Sequence, residues 1–251
     1  MQLHYEVIGQ GQPIIILHGF LGEGENWTYV SKQLAAHYQV YRIDARNHGN
    51  SFHSAEHNYT AMAQDVLQLI QNLHLSNITV IGHSMGGKTA MFLAKIAAHC
   101  IHKLIVVDIA PRYYPVHHAS ILQALQNLDL TPLSNRTQAL EALAIDLPDI
   151  GLRQFLLKNL VRKEDALVWK INLPALSANV GNVGEPCEDF ICTIPTLFIK
   201  GEKSDYITNQ DAEKINNQFT TSTLEIVMNA GHWVHAEQPA AFLEKVKAFL
   251  A

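Results

Sequence analysis

Apolar and polar positions fall into two periods along the chain. Leu3-His4-Tyr5-Glu6-Val7-Ile8 alternates as a half-exposed strand does, and Pro13-Ile14-Ile15-Ile16-Leu17 is a continuous apolar run suited to a buried strand. Gly9-Gln10-Gly11-Gln12 separates them as a turn, so the two are predicted to pair as a hairpin. A helical face follows at Trp27, Val30 and Leu34, then a strand from Tyr38 to Ile43 and a polar loop from Asp44 to Ser51. Met62, Val66, Leu69, Ile70 and Leu73 share one face of a second helix, with Thr60 placed to cap it. Asn77-Ile78-Thr79-Val80-Ile81 reads as a strand, Lys88 to Ala94 as a helix, and Leu104-Ile105-Val106-Val107 as a strand ending in Asp108. Strands alternating with helices imply a mostly parallel sheet covered on both faces.

From Arg112 to Ile191 the alternation stops. Helical faces take its place: Ile121, Leu122, Leu125 and Leu128; Leu140, Leu143, Ala144 and Leu147; Leu152, Phe155, Leu156 and Leu160. Alternation at Leu167, Trp169, Ile171 and Leu173 predicts a short extended piece among them. Such an insertion most simply folds over the sheet's carboxyl edge, so 112–191 is predicted to be a helical lid within a single domain spanning 1–251. The sheet resumes at 195–200 and 224–228, with a helix at 211–219 between them. A last helix starting at Pro239 turns Phe242, Leu243, Val246 and Leu250 inward.

A length of 251 residues suits one large α/β domain. A net charge of −5 and the lack of a Lys/Arg-rich block argue against a nucleic-acid partner. Cys100, Cys187 and Cys192 form neither a paired framework nor a metal-binding spacing, which favours a reducing compartment. No basic-then-apolar leader or membrane span is apparent, so a cytoplasmic location without stable membrane insertion is expected.

The chemistry gathers at Gly82-His83-Ser84-Met85-Gly86, a G-x-S-x-G stretch between a predicted strand and helix. Its glycines let the two elements approach closely, leaving Ser84 exposed as a nucleophile on a strained turn. A serine hydroxyl needs a base, and His232 in Asn229-Ala230-Gly231-His232-Trp233 follows the last strand, where it can lean over the sheet. His235 is the competing base, better suited to packing its loop. Oxyanion stabilisation needs two backbone donors, one after the nucleophile and one after the first buried strand, which selects Met85 and Phe20. His18 and His83 beside them read as loop anchors. His48, His53, His57 and the His117-His118 pair lack metal-ligand spacing and read as surface or loop residues. Gly9, Gly11, Gly22 and Gly24 are too scattered for a dinucleotide fingerprint, and no P-loop follows a strand, so neither cofactor nor metal is expected.

His18-Gly19-Phe20, the run Asp44 to Ser51, Gly82 to Lys88, Val107-Asp108-Ile109-Ala110-Pro111 and Gly231 to Glu237 together resemble the α/β-hydrolase superfamily. Within it they are similar to the small bacterial YbfF-type esterases, relatives of the mitochondrial abhydrolase-domain-eleven proteins. The resemblance covers nearly the whole chain and is weakest in the lid. It implies the α/β-hydrolase fold, with a twisted, mostly parallel sheet of seven or eight strands and the lid inserted before the penultimate strand. It also implies a serine esterase acting on acyl esters, with acyl-CoA thioesters included, through an acyl-enzyme. Most of the superfamily places the orienting acid three residues after a glycine; counting from Gly201 reaches Ser204, with Asp205 one residue late. A one-residue shift near a strand end turns a side chain to the other face. The resembling esterases point instead to Asp108, with Ser204 assisting, so Asp108 is the predicted acid and Asp205 the alternative. Two other classes use the same constellation: a carbon–carbon lyase or synthase of the menaquinone-pathway type, and a small-molecule receptor. The lyase takes an acidic substrate and would need converging cations, for which Arg46, Lys88 and Arg112 are the candidates.

Overall fold

The computed structural model describes residues 2–251. The chain begins with β1 (Tyr5–Ile8), β2 (Gln12–Leu17), α1 (Thr28–Leu34), β3 (Tyr38–Ile43), α2 (Tyr59–Asn72), β4 (Ile78–His83), α3 (Met85–Ala97) and β5 (Ile101–Val107). It continues with α4 (Ala119–Asn127), α5 (Arg136–Ala142), α6 (Ile150–Leu156), β6 (Leu160–Lys163), β7 (Ala166–Trp169) and α7 (Leu173–Ala178). It ends with β8 (Thr196–Gly201), α8 (Asn209–Gln218), β9 (Ser222–Val227), α9 (Val234–Glu237) and α10 (Pro239–Leu250).

Seven strands form one sheet in the order β1-β3-β2-β4-β5-β8-β9, parallel except at its β1 edge. The expected hairpin of β1 and β2 does not form: β3 lies between them, antiparallel to β1 and parallel to β2. Gly9 explains the detour. At φ +78° it crosses against the backbone at the start of β3, where a Cβ would stand 2.3 Å from the Tyr38 carbonyl oxygen. Only glycine lets the chain pass there.

The inner strands carry side chains to both faces. Ile15 and Leu17 pack with α2 and α3, while Ile14 and Ile16 pack with α1 and α10 through Trp27, Val30, Leu34 and Phe242. Each such fully buried side chain contributes about 1.5–3 kcal/mol relative to exposure, so the two layers fix the sheet and with it every loop at its carboxyl edge. Asn58, not Thr60, caps α2, its side chain accepting from the Ala61 N–H at 2.8 Å. The helix starts two residues earlier than a cap at Thr60 would give.

Between β5 and β8 the chain forms four short helices and an antiparallel hairpin of β6 and β7. Three of these helices open on side-chain caps, Asn135, Asp149 and Asn172. Leu160, expected on the face of α6, instead begins β6. The helix stops at Leu156, whose carbonyl accepts from Asn159 Nδ2 at 3.2 Å. Leu122, Leu125, Leu143, Leu156, Leu160 and Leu176 make a third core with Phe20, Tyr59, Met62 and Met85. The segment thus packs on the loops at the sheet's carboxyl edge, and no helix among the described residues is long and apolar enough to cross a membrane.

Candidate active site

Ser84 occupies the turn between β4 and α3 at φ 51° and ψ −115°, a left-handed conformation costly for a residue with a Cβ. The neighbouring glycines allow it. A Cβ on Gly82 would lie 2.2 Å from the Gly86 carbonyl oxygen, and one on Gly86 would lie 2.2 Å from that of Leu17. The Ser84 N–H donates to the Val107 carbonyl at 3.0 Å, which pins the turn to the end of β5. Met85 opens α3, where the first N–H groups have no intrahelical acceptor.

Asp108 follows β5 at φ 53°, fully buried. Its Oδ1 accepts from the Gly201 N–H at 3.0 Å, and its Oδ2 accepts from the Ser204 hydroxyl and from His232 Nδ1, the latter at 2.7 Å. With Nδ1 donating, the Nε2 of a neutral His232 is left as a proton acceptor. Asp205 is exposed. The carboxylate brought to His232 is therefore that of Asp108, with Ser204 on the same oxygen. Burial presses the pair toward neutrality: it pushes the Asp108 carboxyl up to about 6, against the pull of Ser204 and Gly201, and pushes the His232 imidazole down.

The loop carrying His232 is held on both sides. Glu237 accepts from the Gly231 N–H at 2.7 Å and from the Trp233 N–H at 3.1 Å, while His83 Nε2 donates to the His232 carbonyl at 2.9 Å. His235 lines the same cavity but is stacked on Trp27, with ring centroids 3.9 Å apart. The glycine-rich loop after β2 is braced by two imidazoles. His18 donates from Nδ1 to the Gly19 carbonyl at 2.8 Å and accepts from the Ala45 N–H at 3.0 Å. His48 donates from Nδ1 to the Arg46 carbonyl and accepts from the Leu21 N–H at 3.1 Å. Burial holds both below the usual histidine range, which keeps each neutral and able to accept. His48 and His57 thus lie in a loop, as their spacing suggested, but are fully buried and not at the surface. No sequence signal separates a neutral bracing histidine from an exposed one.

Ser84, His232, Phe20, His18 and His83 all line one cavity of about 630 Å³. Leu152 and Phe155 of α6 and Ile121 of α4 form part of its wall, and Phe155 packs on Trp233 at 5.7 Å between ring centroids. Trp169 lies in the β6/β7 hairpin against the third core, outside this wall. None of the three candidate cations reaches the cavity. Arg46 forms a two-pronged pair with Asp65 at 2.6 and 2.9 Å. Arg112 pairs with Asp211 at 2.9 Å. Lys88 is wholly buried and donates to the carbonyls of Pro111, Arg112 and Glu185 at 3.3, 2.6 and 2.5 Å. Among the described residues, no group of three or more His, Cys, Asp or Glu side chains is placed to hold a metal ion.

The family described as the alpha/beta hydrolase family matches residues 14–245. The chain belongs to the α/β hydrolases. Esterase YbfF of Escherichia coli (strain K12) is 35% identical over 243 residues, 95% of this chain and 92% of that one. The sn-1-specific diacylglycerol lipase ABHD11 of Danio rerio is 35% identical over 263 residues, covering 100% of this chain and 83% of its own. A marine microorganism esterase of solved structure is 39% identical and superposes with a TM-score of 0.96 over 99% of both chains. The resemblance to YbfF-type esterases read from the motifs is therefore shown by near-full-length relatives, and the fold they share is the α/β-hydrolase fold.

Proposed function

We propose that this α/β hydrolase is a serine esterase that hydrolyses carboxylic esters of acyl groups through an acyl-enzyme. The observation that carries the reading is the 2.7 Å contact of His232 Nδ1 with Asp108 beside a strained Ser84 that lines the same cavity. In this reading Ser84 Oγ attacks the ester carbonyl as His232 Nε2 takes its proton, and the N–H groups of Phe20 and Met85 hold the oxyanion. The intermediate collapses, His232 protonates the departing alkoxide, and the acyl group remains on Ser84. Water then attacks, His232 again takes and returns the proton, and the carboxylic acid leaves. Asp108 holds the imidazole in the tautomer this requires, with Ser204 steadying the carboxylate.

The segment 112–191 acts in this proposal as a lid whose inner wall, Phe155 included, selects the acyl chain. Thioesters of coenzyme A are a further substrate class on the same chemistry, and diacylglycerol, on which the Danio rerio relative acts by name, is a second ester to try. The carbonyl and carboxylate partners of Arg46, Lys88 and Arg112 weigh against an acidic substrate for a carbon–carbon lyase. A panel of para-nitrophenyl acyl esters tests the reading. Burst release of nitrophenol followed by turnover is expected; a burst without turnover would fit a receptor, and no reaction would leave the lyase.

A further inference from the structure

Tyr206 stands where three parts of the site meet, and no motif drew attention to it. Its ring stacks on the His232 imidazole with centroids 3.8 Å apart and planes 15° from parallel. Its backbone N–H donates to the Ser204 hydroxyl at 3.3 Å, and that hydroxyl in turn donates to Asp108. Its carbonyl accepts from the Tyr114 hydroxyl, itself the acceptor of the Ala110 N–H at 2.8 Å. Its own hydroxyl meets His117 Nε2 at 2.5 Å. Because His117 Nδ1 donates to the Pro115 carbonyl at 3.0 Å, Nε2 of the neutral ring is an acceptor and Tyr206 is the donor. One aromatic side chain therefore touches the base on its face and the start of the inserted segment at its tip.

We propose that Tyr206 is a positioning residue: its ring sets the plane of the His232 imidazole, and its bond to His117 couples that setting to the docking of residues 111–118. This rests on the reading of His232 as the base. Asp108 fixes His232 at one ring atom only, and a single hydrogen bond leaves the ring free to swing about it. A flat aromatic face against the imidazole removes that freedom, and displacements of ~1 Å at a reacting atom can cost about 100-fold. The phenol is in turn restrained by His117, so lifting the 111–118 segment loosens the base and docking it restores the alignment. Seven titratable side chains surround the imidazole: Asp108, His83, His117, His118, His235, Tyr206 and Glu237. The Tyr206 ring adds to the burial that keeps the imidazole neutral.

The test is a set of variants of the full chain assayed with para-nitrophenyl acetate. Tyr206→Leu, checked for an unchanged circular dichroism spectrum, is expected to lower kcat about tenfold with KM little altered, the mark of lost alignment and not of lost binding. Its acid limb in kcat/KM should move to lower pH, because water reaching the His232–Asp108 pair relieves the burial that holds the Asp108 carboxyl up. Tyr206→Phe and His117→Ala are each expected to lower kcat about threefold, and the double variant no more than either alone, as for two ends of one bond. A folded Tyr206→Leu with wild-type kcat and acid limb would reduce Tyr206 to cavity wall and overturn the proposal. If Tyr206→Leu does not fold, the double-variant cycle decides: independent additive losses, or none, refute the coupling to His117. Failure of the esterase reading itself is seen separately, in turnover surviving Ser84→Ala.

Discussion

The sheet's carboxyl edge and the segment that covers it are built on different terms. Every residue of β4 is buried, and the turn after it admits no Cβ at Gly82 or Gly86. In the covering segment only one face of each helix is inside: α5 buries Ala139 and α6 buries Leu156, while Ile145 and Ile150 stand exposed. Beside the third core, polar ties join it to the rest, among them Asn172 Nδ2 to Asn47 Oδ1 at 3.0 Å, Asn159 Nδ2 to the Leu21 carbonyl at 2.8 Å and Lys170 to Glu23 at 2.6 Å. The edge is therefore intolerant of change and suited to hold reacting groups. The cover can vary side chain by side chain and is suited to choose among substrates.

The sharpest way to break this comparison is at the edge. Ser84→Ala is expected to abolish ester turnover, by about a million-fold, with the fold intact by circular dichroism. Substantial residual turnover in pure protein would place the nucleophile elsewhere. Next, Asp108→Asn is expected to lower turnover about 10⁴-fold, while Asp205→Asn leaves it near normal. The reverse pattern would reassign the acid. Because Asp108 must be ionised to orient His232 and is pushed up to about 6, the acid limb of kcat/KM should fall near pH 6, well above the ordinary carboxylate range.

A third measurement concerns stability. His57 is fully buried with neither ring nitrogen bonded, and burial lowers it to about 4. Unfolded, it would take a proton near pH 6.5, so the unfolded state binds more protons in between. Its contribution to stability is whole above pH 6.5 and is lost as pH falls toward about 4. The melting temperature should drop over that window, and His57→Leu should flatten part of the slope. An unchanged slope would mean that His57 stays protonated or unprotonated in both states alike. The smallest effect belongs to the cover: Phe155→Ala is expected to change the relative rates on short and long acyl esters a few-fold, in line with ~1–3 kcal/mol for pocket methylenes. Trp169→Ala should lower thermal stability only. Loss of stability without altered selectivity at Phe155 would make it packing as well.

What could be read in the sequence follows the same divide. The nucleophile turn was legible because close backbone approach forces glycines at fixed positions around Ser84, whereas Asp108, the polar end of an apolar strand, was chosen over Asp205 only through the resemblance to YbfF-type esterases. The pairing of β1 was not, since adjacency in sequence says nothing of β3 entering between β1 and β2, and only the φ of Gly9 discloses the crossing. Leu160 was misread because an apolar position fits the period of α6 equally well, while the element's end is decided by the side chain of Asn159 reaching back to Leu156. Tyr206 carried no signal at all: its role comes from a stack and a bond to His117, 89 residues away along the chain.

Lys88 turns one detail of this architecture into a reporter. Its ammonium is clasped by carbonyls from both ends of the covering segment, Pro111 and Arg112 on one side and Glu185 on the other, and burial lowers it to about 7. An acylating reagent in solution reaches this amine only when both ends have let go. The rate at which Lys88 is labelled, compared with that of exposed lysines in the same sample, therefore clocks how often the cover lifts from the sheet, and slower labelling with an inhibitor bound would time its closure.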